Sequence, residues 1–199
     1  GNLEEDVNFK SQPPLWDTIH TDSVILGRHQ ASAVPVLNEH ELAAGKLAAL
    51  LARNEARDLF DCRSIFQSLK LDLSLLRTAF VAYGGMNRRD WREVTIHDIE
   101  VDPEDVAAKL MPTLHGSALR RDAKPSQFGY DLVDECRAFL SALLPLEPME
   151  VAFLDALLDH GRIDASLITT DSDLRRRIDL HPLLRWKALN VRRHRGIDR

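Results

Sequence analysis

From Asn38 to the C-terminus the apolar residues recur every three or four positions, which is the spacing that places them on one face of an α-helix. This long helical pattern constrains the fold more than any other feature, because it leaves only the first 37 residues for a sheet. Asn38 followed by Glu41 predicts a capping box at the first helix. Gly84 and Gly85 predict a helix stop. The predicted helices are 38–53, 56–69, 72–83, 102–111, 130–144, 148–160, 171–178 and a last one after Pro182, with a loop at 113–129.

Three short stretches before Asn38 favour β-strands. Leu3–Phe9 alternates apolar and polar residues, as a half-buried strand does, and Asp6 lies on its polar side. Ser23–Leu26 and Ala33–Leu37 are the other two candidates, and a proline in the second favours an edge position. A few strands followed by a long helical run predict an α+β fold that is mainly α, with a helical bundle after the sheet.

Composition excludes several classes of protein. The chain has 199 residues, of which 44% are apolar and 29% charged, so it is neither disordered nor fibrous. We expect no membrane span, because no apolar stretch approaches the roughly 20 residues that a bilayer requires. Cys62 and Cys136 lie far apart and outside any Cys-x-x-Cys pair, which favours two core thiols in a reducing cytoplasm over a disulfide or a zinc site.

Charge is distributed unevenly along the chain. Residues 1–184 carry 30 acidic and 20 basic side chains, whereas residues 185–199 carry six basic side chains and one acidic one. A basic end on an acidic body is typical of a segment that contacts nucleic-acid phosphates. A solvated last helix explains the same pattern, because arginines are favoured near the negative end of a helix. The basic residues are Arg185, Lys187, Arg192, Arg193, Arg195 and Arg199.

One stretch combines cations and carboxylates at helical spacing. Lys46 and Arg53 lie two turns apart on one face of the first predicted helix, with the small Ala49 between them. A lysine point charge and a planar arginine fork on one face are suited to binding a polyphosphate. Asp58 and Asp61 share a face of the next helix, where Asp58 can hold one of the cations or position a nucleophile.

A purely structural explanation of these residues stays open. Arg53, Arg57, Asp58 and Asp61 can equally form a salt-bridge cluster at the junction of two helices. Residue chemistry alone does not separate the two interpretations.

The pattern resembles the motifs of a known family. The first match is to the third and fourth motifs of the AbiEii/AbiGii-type nucleotidyltransferases, in Lys46-x-x-Ala49-x-x-x-Arg53-x-x-x-Arg57-Asp58-x-x-Asp61. The C-terminal part is similar too, in Glu150-x-x-Phe153-Leu154-x-x-Leu157, Asp164-x-x-Leu167-Ile168 and His181-Pro182-Leu183-Leu184-x-Trp186-Lys187-x-x-Asn190. The family contains toxins of type IV toxin–antitoxin and abortive-infection systems. The resemblance runs from Leu3 to His194 and is looser at 84–129.

The resemblance implies a fold and an activity. It implies the last strands of a polymerase-β-like nucleotidyltransferase core at 1–70, followed by a helical domain at 71–199. Such enzymes transfer a nucleotide from an NTP to an acceptor, in some members the 3′ end of tRNA, with carboxylates that hold Mg²⁺. It also implies a protein partner, an antitoxin from the same operon.

The resemblance further implies roles for five residues. Lys46 and Arg53 are expected to bind the triphosphate of the nucleotide. Asp58 is expected to be the catalytic or metal-orienting acid, and Asp61 its partner from the next motif. Asp6 is the candidate for a further metal carboxylate.

The sequence departs from the family at its first motif. That motif, a Gly-Ser or Gly-Gly followed by paired acids, is expected before Leu3, and the chain as given is expected to be inactive without it. Asp171-Ser172-Asp173 is not a substitute, because no strand pattern surrounds it and Asp171 is better explained as a helix cap.

Three functions therefore remain in competition. The chain belongs to an enzyme that transfers nucleotides, or it is a non-catalytic module that binds nucleotide, RNA or a partner protein. In the third alternative it is a helical interaction domain whose cluster from Lys46 to Asp61 is only structural. Trp186 is able to stack on a base, although its apolar surroundings in the sequence favour a core position.

Overall fold

The computed structural model of the protein describes residues 13–114 and 124–197. It begins with a hairpin of two short antiparallel strands, β1 (Ile19–Thr21) and β2 (Val34–Val36), in which His20 pairs with Pro35. Helices make up most of the chain after the hairpin, so the prediction of an α+β fold that is mainly α is confirmed. The helices are α1 (Glu39–Arg53), α2 (Ala56–Ser68), α3 (Leu73–Met86), α4 (Pro103–Asp105), α5 (Pro125–Leu140), α6 (Pro148–His160), α7 (Ser172–Leu180) and α8 (Pro182–Arg195).

The first strand of the hairpin differs from the prediction. Strand β2 lies inside the predicted Ala33–Leu37, but its partner is Ile19–Thr21 and not Ser23–Leu26. Residues after β1 form the connecting loop, in which the side chains of Asp22 and Ser23 accept hydrogen bonds from the backbone N–H groups of Ala33 and Ala31. All six strand residues are exposed. The predicted strand Leu3–Phe9, with Asp6, lies outside the described residues.

Helix boundaries follow the sequence signals at most positions. Helices α1, α2, α6 and α7 agree with the predictions within about two residues, as is normal for helix ends. Helix α5 begins at Pro125, five residues earlier than predicted, because proline is well suited to the first turn of a helix. The predicted helix at 102–111 is irregular: α4 continues into a wide π-type turn at Val106–Leu110 and then a 3-10 turn at Met111–Thr113.

The predicted capping box of α1 does not form. Asn38 caps the helix through a hydrogen bond from the backbone N–H of His40, but Glu41 does not return to the cap. Its carboxylate is buried and accepts hydrogen bonds from the backbone N–H of Leu15 and from the hydroxyl of Tyr83. Glu41 therefore joins the segment before the hairpin and helix α3 to α1. Burial is the main cause of a raised Glu41 pKa, which the hydrogen bonds partly offset.

Two glycines allow α3 to pack closely instead of ending it. The helix continues through Gly84 and Gly85 to Met86. A Cβ atom at Gly84 would overlap the indole ring of Trp91, which is fully buried. A Cβ at Gly85 would lie 2.8 Å from a methyl group of Leu157 in α6. The glycine pair predicted as a stop is thus a contact surface in the core.

One hydrophobic core extends from Leu15 to Ala188. Helix α1 packs against α2 and α3, and α8 packs against α3, α6 and α7. Arg77 of α3 binds Glu150 of α6 through a buried bidentate pair, with nitrogen–oxygen distances of 2.9 and 2.6 Å. Arg92 similarly joins three carboxylates, those of Asp90, Asp155 and Asp159.

No helix within 13–114 and 124–197 is both long enough and apolar enough to cross a membrane.

Replacing Gly84 with alanine tests the close packing of α3. We expect Gly84→Ala to lower the free energy of unfolding by about 1–3 kcal/mol, because the added methyl group displaces the Trp91 ring. Gly45→Ala is the matched control, since its Cβ would lie 3.4 Å from the Tyr83 ring; there we expect stability to rise by up to about 1 kcal/mol from helix propensity. Urea unfolding monitored by circular dichroism measures both. Equal effects of the two substitutions would contradict the packing.

The raised pKa of Glu41 gives stability a definite pH dependence. The folded protein binds the proton of the Glu41 carboxyl group more tightly than the unfolded chain does. The stabilisation from this proton is therefore complete below the ordinary pKa of 4.5, and it is lost as pH rises through the pKa of the folded state. We therefore expect the stability of the wild type minus that of Glu41→Gln to fall as pH increases above 4.5. Urea unfolding at a series of pH values measures this difference, with Glu104→Gln, at an exposed site, as the control. A difference that rises with pH would refute it.

Candidate functional site

The junction between α1 and α2 is fixed by Asn54. This residue has a positive φ of 58°, which ends α1 in the left-handed conformation that asparagine tolerates. Its side chain donates to the carbonyl of Asp98 at 3.0 Å and accepts from the N–H of Glu100 at 3.2 Å. The turn is therefore attached to the segment at 96–100, and the end of α1 is held at a set angle to the start of α2.

Arg53 and Asp58 form a bidentate pair across this junction. Two guanidinium nitrogens of Arg53, Nε and Nη2, donate to the Asp58 carboxylate at 3.2 and 2.7 Å. The Asp58 side chain is 5% exposed, whereas the Arg53 side chain is 55% exposed. This hydrogen bond is the main reason that the pKa of Arg53 is raised. A buried carboxylate thus fixes the guanidinium of a side chain that is itself half-exposed.

Lys46 and Asp61 form the second pair between α1 and α2. The Lys46 ammonium donates to Asp61 Oδ2 at 2.6 Å, and both side chains are about two-fifths exposed. The negative charge of Asp61 also acts on Arg53, raising its pKa. The four residues predicted as a site from Lys46 to Asp61 therefore lie together. Arg57 is exposed and forms no ion pair with any described residue.

Cys62 and Cys136 are free, buried thiols, as predicted. Burial is the main cause of the raised pKa of both, and it brings that of Cys136 to about 12. A thiol held in its protonated form is a poor nucleophile, which agrees with a core role.

The carboxylates of the α1–α2 junction are occupied by cations of the protein itself. Asp58 binds Arg53, and Asp61 binds Lys46. Within the two described ranges, no group of three His, Cys, Asp or Glu side chains is arranged to hold a metal ion. Asp6, the remaining predicted carboxylate, lies outside the described residues. The described carboxylates by themselves therefore do not fit a Mg²⁺ site.

Most of the C-terminal motif residues belong to the core. Glu150 binds Arg77, and Phe153 and Leu184 are fully buried. His181 is buried as well, and burial lowers its pKa. Asp171 caps α7 through a hydrogen bond of 2.8 Å from the N–H of Leu174, as predicted.

Trp186 does not have the core position predicted for it. Its side chain points outward from α8 and the residue is 62% exposed, because Leu184 and Ala188 occupy the inner face of the helix. Trp186 lies instead at a surface cleft of about 390 Å³ that also contains Arg88. We call this the α8 cleft, lined by Arg88, Trp186, Lys187, Asn190, His194 and Arg195 over a floor of Leu158 and Val191. The sequence carried one signal for it, a Trp and an Asn four residues apart on one helix.

Comparison with known proteins gives one match. The family model described as nucleotidyl transferase AbiEii toxin, type IV TA system, matches residues 4–189, a range that contains the α1–α2 pairs and Trp186. No curated protein and no solved structure matches the chain. Because the family model covers nearly the whole sequence, the chain belongs to the AbiEii family of nucleotidyl transferase toxins.

Proposed function

We propose that the chain is part of a nucleotidyltransferase that transfers a nucleotide from an NTP to an RNA acceptor, and that Lys46 and Arg53 bind the triphosphate. The observation that carries this proposal is the buried Asp58 carboxylate that holds the half-exposed guanidinium of Arg53 close to the Lys46–Asp61 pair. Membership of the AbiEii family supplies the type of reaction.

The exposure of the Arg53 pair supports a binding role. A salt bridge between two exposed side chains contributes little to stability and leaves both side chains mobile. Here the buried carboxylate takes two donors and fixes the plane of the guanidinium, while the Arg53 side chain as a whole stays 55% exposed. A guanidinium with a fixed plane is well suited to phosphate oxygens, because less side-chain freedom is lost on binding.

Lys46 contributes a second positive charge to the same surface. Its partner Asp61 is as exposed as Lys46 itself, so a triphosphate is able to approach the ammonium beside the carboxylate or in place of it. Lys46 and Arg53 lie two turns apart along α1 and form an extended row of donors, whose charges Asp61 and Asp58 balance. An extended row matches a chain of phosphates better than it matches a single anion.

Mg²⁺ remains part of this proposal through the family alone. The contacts of Asp58 and Asp61 favour a positioning role for both, since each orients a cation. Their role as catalytic acids, and that of Asp6 in metal binding, stay predictions.

The partners and the boundaries are proposed on the same basis. tRNA is the acceptor that we propose, and an antitoxin from the same operon is the proposed protein partner. A cytoplasmic location follows from these partners. We keep the division into a core part at 1–70 and a helical part at 71–199 as a proposal.

NTP binding by variants of the two cations tests the proposed site. We expect Lys46→Ala and Arg53→Ala each to weaken the affinity for an NTP about tenfold or more, because each removes a charged hydrogen bond to phosphate. Isothermal titration with each of the four NTPs in the presence of Mg²⁺ measures the affinities. Lys70→Ala and Arg176→Ala remove the same charges from exposed positions and serve as matched controls.

Two results would contradict the site. If Lys46→Ala keeps its NTP affinity but loses stability, the cluster is only structural. If the controls weaken binding as much as the site variants do, the effect comes from net charge and not from a site.

For the transfer itself, α-labelled NTPs are incubated with total tRNA, using this chain and the chain with any coding sequence upstream of Gly1 restored. Transfer that does not decrease in the Lys46→Ala variant would refute the assignment of Lys46 to the nucleotide-binding site.

The stability of Arg53 variants tests the pair separately. Arg53→Ala leaves the Asp58 carboxylate buried without its partner, so we expect the free energy of unfolding to fall by about 1–3 kcal/mol. The double variant Arg53→Ala/Asp58→Asn should recover part of this loss, because it also removes the buried charge. Lys46→Ala should cost less than about 1 kcal/mol, since both members of its pair are exposed. Urea unfolding measures all three, and an unchanged Arg53→Ala would disprove the arrangement.

A further inference from the structure

We propose that the α8 cleft binds unpaired RNA, with Trp186 stacking on a base and Arg88 and Lys187 contacting phosphates. The inference rests on the proposed function, because it identifies where the RNA acceptor lies. It concerns a surface separate from the Lys46 and Arg53 pairs.

The exposure of Trp186 is the first observation. Of the other tryptophans, Trp91 is fully buried and Trp16 is packed against the core, whereas Trp186 is 62% exposed in the middle of a well-formed helix. An indole that large gains nothing for folding when it faces water. Exposed aromatic rings are the platforms on which single-stranded nucleic acids stack their bases, whatever the sequence.

The charge around the indole is the second observation. Arg88 is exposed, Lys187 and Arg195 also line the cleft, and its lining includes no acidic residue. Lys187 donates to the carbonyl of Asn87 at 2.7 Å, which holds its ammonium at the cleft wall. This basic surface contrasts with a chain whose net charge is −5, and it complements a phosphate backbone.

Nearby carboxylates are partly compensated by arginines. Asp155 and Asp159 of α6 both bind Arg92, and Asp159 also accepts a hydrogen bond from Arg195 at 3.0 Å. Arg195 is therefore partly compensated, and burial lowers the pKa of the Lys187 ammonium, so Arg88 carries most of the charge offered to a ligand. Asp90, Asp155 and Asp159 share Arg92 and Arg195, so one negative charge is left over in this group.

The third observation is the row of polar groups beside the ring. Asn190 and His194 follow Trp186 at intervals of four residues, so the three side chains lie along one stripe of α8. An amide presents both a donor and an acceptor, which is what the edge of an unpaired base requires. The volume of about 390 Å³ is within the usual range for small-ligand sites and is suited to one flipped-out nucleotide.

The position of the cleft relates it to the triphosphate site. Arg88 is followed by Arg89, whose guanidinium pairs with Asp98 at 2.8 Å and donates to the carbonyl of Leu51 at 3.4 Å. Leu51 lies in the last turn of α1, two residues before Arg53. Adjacent arginines thus contact the cleft on one side and the end of α1 on the other.

RNA binding by cleft variants provides the test. The probe is a short fluorescein-labelled oligouridylate, and its affinity for the full chain is measured by fluorescence anisotropy at several salt concentrations. We expect Trp186→Ala to weaken binding by about fivefold to a hundredfold, and Trp186→Phe to weaken it less, because phenylalanine retains a stacking face. Arg88→Ala should reduce the slope of log affinity against log salt by about 0.7, the value for one phosphate contact.

Matched controls separate the cleft from general effects. Tyr130→Ala removes another exposed aromatic ring, and Arg176→Ala removes another exposed arginine, so both should bind the probe as the wild type does. Thermal unfolding checks that Trp186→Ala is folded. We expect it to be folded, because Trp186 is exposed. A self-complementary RNA hairpin with a short loop should bind more weakly than the single strand.

Several outcomes would overturn the inference. One is that Trp186→Ala and Arg88→Ala bind the probe with unchanged affinity. Another is that Trp186→Ala loses affinity for NTP and keeps its affinity for RNA. Loss of co-elution with the antitoxin, with RNA binding intact, would make the cleft a protein interface and would also overturn it. Failure of the proposed function has a different signature: NTP binding or label transfer would not change in the Lys46→Ala variant. The RNA affinity of Lys46→Ala is expected to equal that of the wild type whether or not the proposed function is correct.

Discussion

The buried carboxylate of Glu41 connects three parts of the chain that are distant in sequence. It accepts hydrogen bonds from the backbone of Leu15 and from the hydroxyl of Tyr83, while its own backbone belongs to α1. Helix α1 carries Lys46 and Arg53, and α3 leads to Arg88 and the α8 cleft. Glu41 therefore adds to the apolar packing of α1 on α3, and together they set the relative position of the two proposed binding surfaces.

The α1–α2 pairs show how burial determines what an ion pair can do. Arg53 is fixed by a carboxylate that water barely reaches, whereas Lys46 has a partner as exposed as itself. The first arrangement provides a rigid donor and the second an exchangeable one. Binding a triphosphate benefits from both, since one cation sets the geometry and the other adapts to the ligand.

Local signals predicted the helices and their caps well, because a helix start such as Asp171 depends on neighbours within one turn. The grouping of Lys46 with Asp61 was also within reach of helical spacing and the family resemblance. The capping role of Glu41, the helix stop at Gly84 and the core position of Trp186 are wrong predictions, because each outcome depends on residues that are distant in the sequence. A carboxylate three residues after an asparagine has the same local pattern whether it caps the helix or binds Leu15. Periodicity likewise cannot show that α8 has only one covered face.

Helix α8 separates folding from surface chemistry along a single element. Its inner face carries Leu184 and Ala188. The backbone of Ala188 is so close to Gly161 that a Cβ atom on Gly161 would lie 2.5 Å from the carbonyl oxygen of Ala188. Its outer face carries Trp186 and Asn190, which have no comparable packing. Substitutions at these outer positions are therefore expected to change what the surface contacts with little loss of stability. A larger side chain at the buried Ala188 of the inner face would instead have to displace its core neighbours.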